Sequence, residues 1–430
     1  MQKFFVQNFG CRATQADGAA LESLLTGEGL SATAKQSEAD LVILNTCTVT
    51  AAADSDVRST VRRVHRENPL AKILVTGCYA QRAPDELAAM DGVTWVVGNS
   101  HKTQIAEIVT ASEYHGNIHI GDIFAQHDFL SAPVEDAAGD RARPNLKIQD
   151  GCNNRCSFCI IPYVRGGSRS MPAQQVVEQV RQLSAKYREV VLSGINLGRW
   201  GREPFSKMRL VDLVRMLLAE TDIERLRLSS VEPMDFSNEL LDLMASSGRI
   251  AKHVHAPLQS GSDTVLRRMH RKYRPRHYAE RVMCARDLMP DAAIGADVMV
   301  GFPGETEDEF QQSHDFIAGL PFTYLHVFTY SERPGTPAAE AANQVPIPER
   351  KRRNRILRDL AAGKNLEFRQ RMVGKTVSAV TLGEGNIALT SNYLKVEMAA
   401  SQPANLLLDL RIDGLSEIGL REFAPLAVLA

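Results

Sequence analysis

Three cysteines stand within eight residues in "GCNNRCSFC", at Cys152, Cys156 and Cys159, in a chain that has seven in all. A structural zinc site closes its shell with four protein ligands, and its cysteines come in pairs. Here the spacing is C-x3-C-x2-C, with no His or fourth Cys nearby. A [4Fe–4S] cluster normally takes four thiolates, so three leave one iron open to a substrate or cofactor. A second triplet, Cys11, Cys47 and Cys78, is spread along the first region. Each of these cysteines closes an apolar run: "KFFVQNFGC", "ADLVILNTC" and "AKILVTGC". The runs read as parallel strands, and ligands of open α/β sheets sit beyond the carboxyl ends of such strands. The seventh, Cys284 in "AERVMCARDLM", reads as a helix-packing residue.

The elements that must carry these thiols follow from the alternation of runs. Helix-like segments such as "DSDVRSTVRRVHREN" separate the first strands, which predicts an N-terminal α/β domain with a parallel sheet over residues 1–112. Weakly patterned residues 113–140 read as a linker. From 141 to 368 the alternation resumes. "NLKIQDGC", "REVVLSGINLG", "ERLRLSSVEP", "KHVHAPLQSG", "AAIGADVMVGFPGE" and "TYLHVFTYSERPGT" are strand-like runs with helical stretches between them. This predicts a partial β/α barrel with functional loops at the carboxyl ends of its strands. Thr306 followed by Glu309 is a capping box opening one of its helices. Residues 369–430 hold short strand candidates, "KTVSAVTLG", "NIALTSNYLKVEM", "NLLLDLRI" and "EIGLREF", and predict a small β-barrel. The overall class is α/β.

Composition bounds the rest. A net charge of −1 gives no global attraction to nucleic acid, so any such binding must be local. "MQKFFVQNFG" lacks the apolar core of a signal peptide, and no apolar stretch reaches roughly 18 residues. A cytoplasmic protein with no membrane partner is expected. In that reducing compartment clustered thiols point to metal or redox chemistry rather than disulfides.

The Cys152–Cys159 spacing on the loop after the first barrel strand resembles that of the radical S-adenosylmethionine enzymes. There the open iron chelates the methionine moiety, and an electron from the cluster releases a 5′-deoxyadenosyl radical. Read together, the N-terminal cysteine triplet, "GCNNRCSFCIIPYVRG", "HAPLQSGSDTVLRRM", "DVMVGFPGET" and a terminal domain with "LTSNYLKV" resemble the methylthiotransferase family over essentially the whole chain. The last domain resembles the TRAM domain of RNA-modifying enzymes. The resemblance implies two [4Fe–4S] clusters, one on each triplet, with S-adenosylmethionine as cofactor. It implies that sulfur at the first cluster is methylated by one S-adenosylmethionine, and that a second is cleaved at the barrel cluster. Its radical takes the hydrogen from adenine carbon 2, and the methylthio group is inserted there. For the cofactor it implies contacts from Phe158, Ser193, Gly194, Glu232, Gln259, Ser260, Val298 and Gly301. A reductant such as flavodoxin or ferredoxin would supply the electron.

"QDGCNNRCSFCIIPYVRG" and "LSGINLGRWG" are most similar to the branch acting on N6-threonylcarbamoyladenosine at position 37, in the anticodon stem-loop of tRNA. The isopentenyladenosine branch typically has Gln where Ile195 stands, and the ribosomal-protein branch differs after Cys159. One departure is visible: after Cys11 the usual Lys-x-Asn-Gln is Arg12–Ala13–Thr14–Gln15. For RNA, the run Arg267–Arg281 places Arg267, Arg268, Arg271, Lys272, Arg274 and Arg276 among Tyr273, Tyr278 and histidines, a pattern that grips phosphates and stacks bases. Arg350–Arg355, "RKRRNR", is a second basic run. The alternatives are the isopentenyladenosine or ribosomal-protein substrate with the same chemistry, or a zinc-stabilised RNA-binding module without catalysis.

Overall fold

A computed structural model describes residues 2–110, 117–126, 129–130, 142–204, 206–383 and 385–423. Six strands form the N-terminal sheet: β1 (Lys3–Asn8), β2 (Ser31–Ala32), β3 (Leu41–Thr46), β4 (Lys72–Gly77), β5 (Val93–Gly98) and β6 (Ile118–His119). Their order is β2-β1-β3-β4-β5-β6, and every pair is parallel. All six residues of β3, "LVILNT", are buried, as a central parallel strand covered on both faces requires. Successive side chains serve opposite layers. Val42 and Leu44 pack with Val57, Val61 and Val64 of the helix Ala51–Glu67. Leu41 and Ile43 pack with Leu21 and Leu25 of the helix Arg12–Gly27. Much of the expected linker lies outside the described residues. Of the part inside, β6 extends the sheet and Ile123 and Leu130 are buried.

The second unit has six parallel strands: β7 (Asn145–Asp150), β9 (Glu189–Gly194), β10 (Arg225–Leu228), β11 (His253–His255), β12 (Ala293–Val300) and β13 (Tyr324–Thr329). A short β8 (Arg169–Ser170) lies antiparallel against β7. Between β10 and β11 the ladder thins to one bridge, Leu226–Ile250, so the sheet opens there. The expected partial barrel is present, and the capping box at Thr306 and Glu309 is formed.

A 24-residue helix, Ile347–Gln370, leads to a closed barrel of β14 (Thr376–Thr381), β15 (Gly385–Thr390), β16 (Lys395–Gln402), β17 (Leu407–Leu415) and β18 (Leu420–Glu422). The run "NIALTSNYLKVEM" is two strands. Ser391–Asn392–Tyr393 form the turn between them, with Tyr393 at φ 65°, a left-handed conformation rare for an aromatic residue. Among the described residues no helix is long and apolar enough to cross a membrane.

Candidate active site

Strands β1, β3 and β4 are neighbours in the sheet, so Cys11, Cys47 and Cys78 sit side by side just past its carboxyl edge. The turns that hold them need glycine. Gly10 has φ +101°, and a Cβ there would lie 2.5 Å from Cys47 Cβ. Gly77 has φ +100°, and its Cβ would meet the Thr46 carbonyl oxygen at 2.5 Å. Cys11 is exposed, while Cys47 and Cys78 are buried. Burial, and then the neighbouring Cys78 and Cys11 thiols, push Cys47 up to about 12. Thr14 Oγ1 is 3.6 Å from Cys11 Sγ.

Cys152, Cys156 and Cys159 follow β7 on the loop that ends in the short helix Ile161–Arg165. Burial, then the Cys156 thiol, push Cys159 up to about 12. Donors face the other two thiols. Asn154 N–H is 3.4 Å from Cys152 Sγ, Asn196 Nδ2 is 3.7 Å from the same sulfur, and Arg271 Nη1 is 3.2 Å from Cys156 Sγ. Neither triplet has its three Sγ atoms within 4.8 Å of one another. A single tetrahedral zinc, with Zn–S near 2.3 Å, would draw its thiolates to about 3.8 Å. A cluster holding each thiolate on a different iron fits the wider spacing.

The two thiol loops meet. Cys78 packs with Ile160 and Val164 of the barrel loop, and Asn99 Nδ2 reaches both Cys78 Sγ at 3.6 Å and Val164 O at 2.7 Å. Behind them lies a buried ionic network that joins the two units. Asp17 of the helix Arg12–Gly27 accepts from Lys102 at 3.0 Å, Arg165 at 3.0 Å and Lys147. Asp150 accepts from Lys147 at 2.8 Å and Arg165 at 3.0 Å. Burial alone would raise the Asp17 carboxyl, but the Lys102, Lys147 and Arg165 charges hold it far below the carboxylate range. A second tie pairs Arg333 of the barrel with Asp54 at 2.7 Å.

Between the units is a cavity of about 490 Å³. Cys11, Arg12 and Ile161 form one wall, Ser193, Gly194 and Ile195 another. Inward-facing barrel residues line the rest: Arg227, His253, His255, Asp297, Tyr324 and His326. Tyr393 of the terminal barrel closes it, stacked on His253 at 4.4 Å between ring centres. His255 and Tyr324 stack at 5.8 Å. His255 Nε2 and His326 Nδ1 stand 3.4 and 3.2 Å from Asp297 Oδ1.

The other expected cofactor contacts are distributed. Glu232 pairs with Arg271, beside Cys156. Phe158 packs with Val265, Met269 and Phe302. Gln259, at φ 65°, bridges Val298. Ser260 Oγ is spent on Ser313 Oγ at 2.9 Å, and a Cβ at Gly301 would meet Arg350 at 2.4 Å, so these two sit in packing. Within the basic run, Arg267, Arg268, Lys272 and Arg276 are exposed, and Arg267 pairs with Asp263 at 2.7 Å. Arg268 pairs with Glu309, and Arg274 with Asp263. Arg271 is buried against the thiols instead of facing solvent. The expectation that Tyr273 and Tyr278 stack on bases is corrected. Both are core residues, donating to carbonyls of residues 256–258 on the loop after β11. In the second basic run Arg350 and Arg353 are also buried, and Arg352 pairs with Glu307 and Glu349. The rings that line the cavity are instead those of His253, His255, Tyr324 and Tyr393, stacked on one another. For the strand residues the signal in sequence is the alternation "HVH" and "YLH", which sets His253 with His255, and Tyr324 with His326, on one face of its strand.

The model of the radical SAM superfamily matches residues 146–317, and that of an uncharacterized protein family, UPF0004, matches residues 3–98. The threonylcarbamoyladenosine tRNA methylthiotransferase of Aquifex aeolicus is 37% identical over 92% of this chain and 96% of its own. The chain belongs to the radical S-adenosylmethionine methylthiotransferase family. A second relative, the tRNA-2-methylthio-N(6)-dimethylallyladenosine synthase of Syntrophomonas wolfei, is 32% identical over 82% of this chain and 80% of its own. Among solved structures, the radical S-adenosylmethionine methyltransferase TsrM of Kitasatospora setae superposes with a TM-score of 0.57 at 16% identity. That match covers 79% of this chain and 74% of TsrM, and it shows a shared fold. As a radical methylthiotransferase, the chain is an enzyme using [4Fe–4S] clusters and S-adenosylmethionine.

Proposed function

We propose that this chain methylthiolates carbon 2 of N6-threonylcarbamoyladenosine at position 37, beside the anticodon of tRNA. One observation carries the reading: Cys11 of one thiol triplet lines a cavity between two ionically tied units, and the loop that carries the other triplet lends Ile161 to the same cavity and packs on Cys78. The first listed relatives act on threonylcarbamoyladenosine by name, which supports this branch over the dimethylallyl one. Cys11, Cys47 and Cys78 would hold one cluster and Cys152, Cys156 and Cys159 the other. When bound, the barrel cluster with S-adenosylmethionine supplies a carbon-centred radical, and the first supplies the sulfur.

The residues then divide the work. Arg271, itself paired with Glu232, and Asn196 offset the charge of the barrel thiolates, and Ser193 and Gly194 border the space for S-adenosylmethionine. Val298 and Gln259 support the same rim, while Phe158 holds the cysteine loop in place. The stack of His253, His255, Tyr324 and Tyr393 receives an adenine turned out of the anticodon loop. Residues 1–112 carry the sulfur-donating site, 141–368 the radical site, and 369–430 close the cavity and hold RNA. Arg267, Arg268, Lys272 and Arg276 offer exposed charge to phosphates, beside the half-buried Arg274. The electron comes from a small reductant such as flavodoxin or ferredoxin, and the cytoplasm, where tRNA is modified, is the working compartment. Nucleoside mass spectrometry of tRNA from cells with and without the protein tests this. The 2-methylthio derivative of threonylcarbamoyladenosine should vanish without it; its persistence would overturn the reading.

A further inference from the structure

Two arginines line the reaction cavity, Arg12 and Arg227. They differ in what they already hold. Arg227 is buried, and its guanidinium is spent. It donates to Glu189 through Nε at 2.7 Å and Nη2 at 3.1 Å, to Thr390 O at 3.0 Å and to Ser391 O at 3.1 Å. Arg12 stands in the first turn of its helix, immediately after Cys11. Its backbone carbonyl accepts from Asn145 Nδ2 at 2.7 Å, but its guanidinium has no acceptor among the described residues. The charge of Asp297, the carboxylate of this cavity, is already bracketed by His255 and His326. Arg12 is therefore the cation of the cavity wall with a free fork of donors.

The chemistry of the base says what that fork meets. In adenine, carbon 2 and carbon 6, which carries the exocyclic N6, flank the same ring nitrogen. A base that offers carbon 2 to sulfur held beside Cys11, Cys47 and Cys78 must bring its N6 substituent alongside the same cysteines. Resting on the threonylcarbamoyladenosine reading, that substituent ends in a threonine carboxylate. Dimethylallyl, by contrast, is apolar and has no use for a guanidinium. We propose that Arg12 is a specificity-determining residue, whose guanidinium takes the carboxylate of the threonylcarbamoyl group as a charge-assisted, two-pronged pair.

The test measures RNA binding to the cluster-loaded protein by fluorescence anisotropy, without turnover. The probes are anticodon stem-loops bearing threonylcarbamoyladenosine, its methyl ester, or isopentenyladenosine. Wild type should bind the free acid roughly 10- to 100-fold tighter than the ester, the range for a charged hydrogen-bonded pair. Arg12→Gln should bind acid and ester alike at the ester's affinity, with iron content kept, and Arg12→Lys should restore part of the preference. Because acid and ester are compared on the wild type, the idea stays exposed even where Arg12→Gln fails to load iron. Equal wild-type affinity for acid and ester would overturn the role of Arg12, as would an Arg12→Gln protein that keeps the preference. A wild-type preference for the isopentenylated RNA over both would instead overturn the branch on which the proposal rests.

Discussion

Replacing Asp17 with Asn should destabilise the protein far more than removing a surface charge. Three buried cations, Lys102, Lys147 and Arg165, share two carboxylates, Asp17 and Asp150. Without the Asp17 charge, Lys102 keeps only the Asn45 side-chain oxygen at 3.1 Å, and Lys147 and Arg165 are left to Asp150 alone. Breaking a buried pair by removing one partner costs about 3–5 kcal/mol, because a charge stays buried without compensation. Total stabilities are about 5–15 kcal/mol, so the loss is a large share. With a urea slope of about 1–3 kcal/mol/M, the midpoint should fall by at least about 1 M. Trp95 and Trp200 lie one in each unit, so intrinsic fluorescence reads both. The control is Glu38→Gln, which removes an exposed pair with Lys35 and should cost well under about 1 kcal/mol. The network also sets one thiol loop against the other, so methylthiolated product per 5′-deoxyadenosine should drop in Asp17→Asn. An Asp17→Asn protein no less stable than Glu38→Gln would refute the view that this network clamps the two units.

Other outcomes follow from the same geometry. Replacing Cys152, Cys156 and Cys159 with Ala should halve the iron and stop S-adenosylmethionine cleavage. Replacing Cys11, Cys47 and Cys78 should remove the other half and leave 5′-deoxyadenosine formation detectable, both read by iron analysis and chromatography. Acid should weaken the tie between the barrel and the terminal domain. Burial raises the Glu189 carboxyl, but Arg227, Arg143 and Arg225 outweigh it and hold it at about 2. The unfolded chain then binds the proton first, so this stabilisation is whole above the ordinary carboxylate value and lost as pH falls toward about 2; Glu189→Gln should flatten that limb of a stability–pH curve. Neutralising Arg267, Lys272 and Arg276 together should lower the slope of log affinity for tRNA against log salt by about 2–3.

The strands, the two thiol triplets and the three units were legible because apolar runs with a fixed end-residue leave a local trace. "ADLVILNTC" needs no partner to be read as a buried strand with a thiol at its tip. The clamp left no such trace. Asp17 sits in a helix with ordinary spacing, and Lys147 in a strand, so each looks like a solvated charge until the fold brings them within 3 Å or so of each other. The basic run misled for the reverse reason. Counting charges on Arg267–Arg281 does not say which face turns inward, and Arg271, Tyr273 and Tyr278 face inward. Tyr393 stands in a polar turn motif of the terminal domain; its entry into the cavity depends on a turn at positive φ and on where the small barrel docks.

The function proposed for this chain requires one cavity to bring a radical and a sulfur to the same carbon. Its most direct test gives the cluster-loaded protein S-adenosylmethionine, a reductant and an anticodon stem-loop whose threonylcarbamoyladenosine is deuterated at carbon 2. Deuterium should appear in the 5′-deoxyadenosine and a 2-methylthio nucleoside in the RNA, with neither from RNA lacking the threonylcarbamoyl group. Deuterium retained in the RNA while a ribosomal protein gains the methylthio group would contradict it.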